Sequence, residues 1–312
     1  LRSEILDAEC DVIACLPRWS LATPLLLLAL TCLAGCGPES TDDARRFLIF
    51  DRHADSGEYR LTEATIETLD EVGGVDGEIA KFHAGGNIVA GTVEPTSAEE
   101  FRNSLKIEGA KPPRVDYSVA DDGVVVPADF HSTMMLTLYH HLEVARGYFV
   151  GLGVEASRIG EVPVYYYPRL ELFIPISLLT DNAAYAFTLD AFMIPPTLLV
   201  RQVPLAANRG VIVHEYSHRV FNRLVHDGRR VPEYLLEPWS DPATNRMRSL
   251  DEGIADIFAA LQTGDPNFIG SSLSEERFGI DRDLTKERHY TAELEETIET
   301  SAMGQYNPYK LG

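Results

Sequence analysis

Apolar positions along this chain follow two spacings, and the change from one to the other outlines the elements. Residues 47–50 and 86–93 read as short strands within a mixed region from about 47 to 126, where glycine pairs at 73–74 and 85–86 signal turns. Residues 62–72 read as a helix. Past Val126 the pattern sharpens. Pro127-Ala128-Asp129 offers a helix start, and FHSTMMLTLYHHLEVARGYFVGLG keeps apolar residues at helical spacing as far as Gly151 or Gly153. Residues 162–167 and 170–176 predict strands. Residues 182–194 predict a strand pair or one irregular edge, ended by Pro195-Pro196. An amphipathic helix is expected over 206–226, closed by Asp227-Gly228, and another over 250–263, closed by Gly264. The polar, Pro- and Arg-containing stretch 227–248 reads as a loop.

Composition narrows the class. Hydrophobic residues at 45% and charged residues at 24% are ordinary for a globular protein. The net charge of -21 makes nucleic acid a poor partner, because like charge opposes phosphate contacts. All four cysteines fall at positions 10, 15, 32 and 36. The body therefore has no disulfide framework and no thiolate metal site; a transition metal there must be held by His, Asp or Glu.

The cysteine-bearing start has its own logic. The apolar run over 21–33 is too short to cross a bilayer comfortably and suits the apolar core of a signal peptide. Leu33-Ala34-Gly35-Cys36 follows and resembles the bacterial lipoprotein signal, which implies lipidation at Cys36 and a lipid-anchored place in the bacterial cell envelope, facing the periplasm or the exterior. Glu4, Asp7, Glu9 and Asp11 do not suit a basic leader, so the natural start is expected near residue 18, or the chain is a fragment. The organisation expected is a signal segment over 1–36, a polar linker over 37–46, a mixed β region over 47–125 and a catalytic region over 126–312.

The chemistry concentrates in Val211-Ile-Val-His-Glu-Tyr-Ser-His-Arg-Val220. On a helix, His214 and His218 lie four residues apart on one face and can aim two imidazoles at one point, with Glu215 beside them to reach a metal-bound water. A third ligand is still required. Phe221 and Leu224 stand where HExxHxxGxxH needs Gly and His, which excludes that arrangement. The downstream segment Ser249-Leu-Asp-Glu-Gly-Ile-Ala-Asp-Ile-Phe258 supplies Glu252 as the ligand, and Asp256, again four residues on, to accept the other N–H of a ligand histidine. The bland alternatives are a pair of core histidines, and an acidic helix start for Asp251 and Glu252.

HEYSH followed by DEGIADIFA resembles the gluzincin peptidases of the thermolysin and fungalysin type. The resemblance implies an α+β zincin fold, with helices carrying Zn2+ on His214, His218 and Glu252, Glu215 as the base and Asp256 as the histidine-orienting carboxylate. It further implies that Asn182 and Ala183, on an edge strand, pair with the backbone of a peptide or protein substrate, and that Tyr309 or His289 stabilises the oxyanion. The gap from His218 to Glu252 is longer than in thermolysin, which implies an insertion around 227–248. The family continues into further helices, so the C-terminal helical part is expected to be missing. The activity implied is metalloendopeptidase; the alternative is an inactive zincin-fold lipoprotein that binds or supports. No GxMEN-type motif favours an aminopeptidase. The oligomeric state, cleavage specificity and calcium sites stay open.

Overall fold

A computed structural model describes residues 45–53, 55–90, 100, 104–171, 180–197, 201–228, 242–273 and 282–287. The expected lipidation site Cys36, together with His289 and Tyr309, lies outside the described residues. The described residues belong to one compact unit, Ala44–Gly312, and combine several sheets with helices in a mixed α+β arrangement.

Strands β1 (Arg45–Arg52) and β2 (Tyr59–Ile66) form an antiparallel hairpin in register from Arg45↔Ile66 to Arg52↔Tyr59. After β3 (Leu69–Glu71), β4 (Asp76–Gly77), β5 (Ala80–Ala84), β6 (Asn87–Ala90), β7 (Leu105–Glu108), β8 (Tyr117–Val119) and β9 (Val125–Pro127) comes the first long helix, α1 (Phe130–Gly151). The short α2 (Ala156–Ile159) leads to β10 (Val162–Tyr166), β11 (Arg169–Glu171), β12 (Ala184–Ala186) and β13 (Ala191–Ile194). Two helices follow, α3 (Arg209–Val225) and α4 (Pro242–Thr263). Among the described residues the largest sheet has six strands in the order β12-β13-β10-β5-β4-β3, with β12 at one edge. Because β5 lies parallel beside β10, the regions before and after residue 126 share one sheet.

Several expected elements stand with shifted bounds. α1 begins where Asp129 caps it: the Asp129 carboxylate accepts from the Ser132 N–H at 2.8 Å. α3 starts at Arg209, three residues after the expected start, because Asn208 takes extended backbone and caps the helix, while 205–207 form a separate 3-10 turn. The segment 182–194 is a strand pair, β12 and β13. Two expectations are overturned. Residues 62–72 are not a helix: Thr62, Ala64 and Ile66 turn inward while Glu63 and Thr65 face out, the two-residue period of a strand paired to β1. The 227–248 stretch is not all loop, since α4 already runs from Pro242, a residue that fits a first helical turn because no N–H is needed there.

An aromatic stack sets the position of α3. Phe149 of α1 lies 6.1 Å from Tyr216 of α3 at 17°, Phe192 of β13 also stacks on Tyr216 at 5.9 Å, and Phe258 of α4 meets Phe149 edge-on at 5.1 Å. All are buried or partly buried in one core with Leu136, Leu138, Leu142, Ile212 and Val213. The opposite face of α3, which carries His214 and His218, is thereby turned toward β12 and α4.

Beneath this core His141 of α1 is fully buried against Asp51 of β1, His140 and Arg209 of α3. Its Nε2 donates to the Ala207 carbonyl at 3.2 Å. Burial pushes its pKa down to about 3, against the opposing pull of the Asp51 carboxylate. The unfolded chain accepts this proton near the ordinary histidine value, and the folded chain refuses it until about 3. Stability from this group is therefore complete above about pH 6.5 and declines as pH falls toward 3, by up to about 1.4 kcal/mol per unit. Urea unfolding of His141→Gln should show a loss between pH 7.5 and 5.5 that is smaller than the parent's by about 1–2 kcal/mol. An equally steep pH dependence in the variant would assign the proton uptake elsewhere.

Candidate metal centre

One turn of α3 separates His214 from His218, and their Nε2 atoms approach to 3.0 Å. Glu252 of α4 completes the group: its Oε2 lies 3.3 Å from His214 Nε2 and 3.6 Å from His218 Nε2. The three donor atoms fall within 4.8 Å of one another. All three side chains are largely withdrawn from solvent, His214 at 4% exposure and His218 at 6%.

Carboxylates behind the imidazoles decide which nitrogens face inward. Asp256 Oδ1 sits 2.9 Å from His214 Nδ1, and Asp251 Oδ1 sits 2.9 Å from His218 Nδ1. An ionised carboxylate only accepts, so each Nδ1 donates, and each neutral ring turns a lone pair on Nε2 to the centre. Two such lone pairs 3.0 Å apart, with Glu252 Oε2 beside them, attract positive charge, and Arg282 Nη2 already comes within 3.1 Å of His214 Nε2 and 3.8 Å of Glu252 Oε2. Glu252 Oε2 is moreover buried without a hydrogen bond of good geometry. The donor set fits a metal ion.

The titration shifts agree in direction. Burial lowers the pKa of His218, but the carboxylates of Asp251 and Glu252 outweigh it and hold it well above the ordinary value. In His214 burial and the Arg282 charge push down, and the bonds to Asp256 and Glu252 win. Burial pushes Glu252 up, yet the two imidazoles leave it far below the usual carboxylate range. In short, positive charge between these groups is favoured. Among the described residues, the carboxyls of Glu215, Asp251, Glu252 and Asp256 and the guanidiniums of Arg248 and Arg282 stand around them, a balance that a divalent cation would neutralise.

Glu215 points into the same cleft, whose volume is about 450 Å³. Its Oε1 is 4.0 Å from His214 Nε2, and its Oε2 accepts from the Tyr185 backbone N–H at 2.8 Å. Burial raises the pKa of Glu215; the two imidazoles and the Tyr185 N–H pull the other way. Asn182 and Ala183 line the cleft just before the edge strand β12, with Ala183 buried and Asn182 exposed. The structure thus brings together seven of the residues singled out from the sequence: His214, Glu215, His218, Glu252 and Asp256 at the centre, Asn182 and Ala183 on its rim.

Three contributors carry little or no signal in the sequence. Asp251 was legible only as an acidic residue of a helix start, whereas α4 begins at Pro242 and places Asp251 well inside it, facing His218. Arg282 lies far along the chain; it bonds Asp256 through Nε at 3.1 Å and in a closer contact through Nη2, which also lies 2.9 Å from His214 Nδ1. The Tyr185 N–H is a backbone group with no sequence signature.

A second cluster, Asp51, His140 and His141, also brings three donors within 4.8 Å. There Arg209 already supplies the cation to Asp51, and His141 Nε2 is committed to the Ala207 carbonyl. That cluster is a structural ion pair tying α3 to β1.

Removing an orienting carboxylate should loosen the centre without unfolding the chain. Asp251→Ala is expected to weaken metal binding by about 10–100-fold in a chelator-competition titration. Unchanged affinity would mean that His218 needs no partner to hold its ring.

No protein-family model matches this chain, and no curated protein shows significant similarity to it.

Proposed function

We propose that this chain is a zinc-dependent metalloendopeptidase of the gluzincin type, with a thermolysin-like arrangement of the catalytic region. The observation that carries the reading is the convergence of His214, His218 and Glu252 on one point with Glu215 alongside. Two imidazoles and a carboxylate are a donor set suited to catalytic zinc, which keeps a further position for water. A zinc ion held there would polarise that water and a scissile carbonyl and lower the water's pKa.

The chain's own groups do the rest. Glu215, raised by burial and aimed by the Tyr185 N–H, takes a proton from the attacking water and returns it to the leaving amine. The edge strand β12 borders the cleft, so that an extended peptide would pair alongside it beyond the Tyr185 N–H that Glu215 holds, with Asn182 and Ala183 at its start. Asp251 and Asp256 hold the imidazoles in the tautomer that leaves Nε2 free. By the resemblance, Tyr309 or His289 would stabilise the oxyanion.

The reading extends to location. The apolar run over 21–33 and Cys36 support a lipid anchor in the bacterial cell envelope. Among the described residues no helix is long and apolar enough to cross a membrane. Incubating the full chain with a fluorogenic peptide library tests the activity. Cleavage that a chelator abolishes and zinc restores is expected. A folded, zinc-loaded chain that cleaves nothing would favour the alternative, an inactive zincin-fold lipoprotein with a binding role.

A further inference from the structure

The hairpin β12–β13 is fastened to α3 by one carboxylate. Asp190 lies in the turn between the paired residues Ala186 and Ala191, with a left-handed backbone at φ 48°. Arg219 and Arg223 reach it from consecutive turns of α3. Arg219 Nε stands 3.5 Å from Asp190 Oδ1, and Arg223 Nη2 makes a closer contact with Oδ2. Arg219 is fully buried, and its Nη2 donates to the Glu161 carbonyl at 2.7 Å. The guanidinium is therefore already fixed before it meets Asp190.

The same carboxylate accepts a hydrogen bond from the Tyr185 hydroxyl at 2.7 Å, and Asn222 of α3 donates to that hydroxyl at 3.3 Å. Tyr185 is thus held to α3 at both ends. Its ring oxygen is tied to Asp190 and Asn222, and its backbone N–H is tied to Glu215, two turns earlier on the same helix. Among the described residues no strand pairs with β12 on the side away from β13, and the N–H bonds Glu215 instead. Its place relative to Glu215 depends on where the hairpin is clamped.

We infer that Asp190 is a positioning residue: by gripping Arg219, Arg223 and the Tyr185 hydroxyl, it holds the Tyr185 amide on the carboxylate of Glu215 and sets the gap between the edge strand and the metal centre. Two arginines and a hydroxyl converge on this one carboxylate, and through Tyr185 it connects to the cleft. The inference rests on the peptidase reading for its catalytic consequence, but its geometry can be tested separately.

Amide hydrogen exchange at Tyr185, zinc per chain and the kinetics of peptide cleavage would be measured in the full chain, in Asp190→Ala and in Asp190→Glu. In Asp190→Ala, exchange at Tyr185 should accelerate by about tenfold or more, while the amides of Leu138 and Leu142 in α1 keep their rates. Zinc content should hold, and kcat should fall by about tenfold with KM within about twofold. Asp190→Glu should recover part of both effects. Unchanged Tyr185 exchange, acceleration shared equally with α1, or faster exchange with kcat intact would each overturn the inference. A parent chain that binds no zinc would defeat the peptidase reading instead, and the exchange data would still decide whether Asp190 holds the Tyr185 amide.

Discussion

Glu215→Gln is expected to keep the metal and lose the chemistry. Gln has the size of Glu and still offers an oxygen to the Tyr185 N–H, which Glu215 binds at 2.8 Å. It lacks a basic oxygen to take a proton from water. General-base loss of this kind costs about 10²–10⁴-fold in rate. Metal content should be unaffected, because the Glu215 carboxylate stands 4.0 Å from His214 Nε2, outside the three-donor group. Parallel measurement of kcat and of metal per chain separates the two effects. Substantial cleavage by the variant would remove Glu215 from the base role; loss of metal together with activity would make it a ligand.

The second large effect concerns the helix that carries the site. Asn208 is fully buried at the start of α3. Its Oδ1 accepts from the Val211 N–H at 3.3 Å, and its Nδ2 donates to the Phe268 carbonyl at 2.8 Å and to Ser272 Oγ at 2.8 Å. One side chain thus caps α3 and pins the turn over 268–272 across it. Asn208→Ala removes the cap from the Val211 N–H and the donor from Ser272 Oγ, while the Phe268 carbonyl keeps Ser271 Oγ at 3.2 Å, and the loss should cost about 2–4 kcal/mol. Little collapse can compensate, since backbone and ring are already in tight contact here: a Cβ built on Gly210 would stand 2.4 Å from Phe268 Cβ. Denaturant unfolding of the variant checks this. A loss below about 0.5 kcal/mol would mean that the 268–272 turn is held by other contacts.

Legibility in the sequence followed the range of the interactions. The helices α1 and α3 could be read because their apolar faces repeat within a few turns, and the histidine pair because helical spacing alone puts two side chains on one face. Glu252 and Asp256 followed from the same four-residue rule applied to α4. The 62–72 segment mixes helix formers such as Glu63, Ala64, Glu67 and Leu69 with β-branched Thr62, Thr65, Ile66, Thr68 and Val72, and pairing of its first half with β1, a contact made across a turn, decides for strand. Pro242 hid the true start of α4, and with it the inward aim of Asp251. Arg282 and the Tyr185 N–H were invisible for a different reason. One is brought to the site from 68 residues away in the chain by tertiary folding, and the other is a main-chain atom whose orientation belongs to the sheet edge.

Metal stoichiometry tests the central claim most directly: zinc per chain, measured by elemental mass spectrometry on the purified full chain beside Glu252→Ala. About one zinc in the parent and a clear loss in the variant are expected from a centre closed by two histidines and one glutamate. A folded parent that takes up no zinc, or a Glu252→Ala variant that holds it as tightly as the parent, would contradict the account.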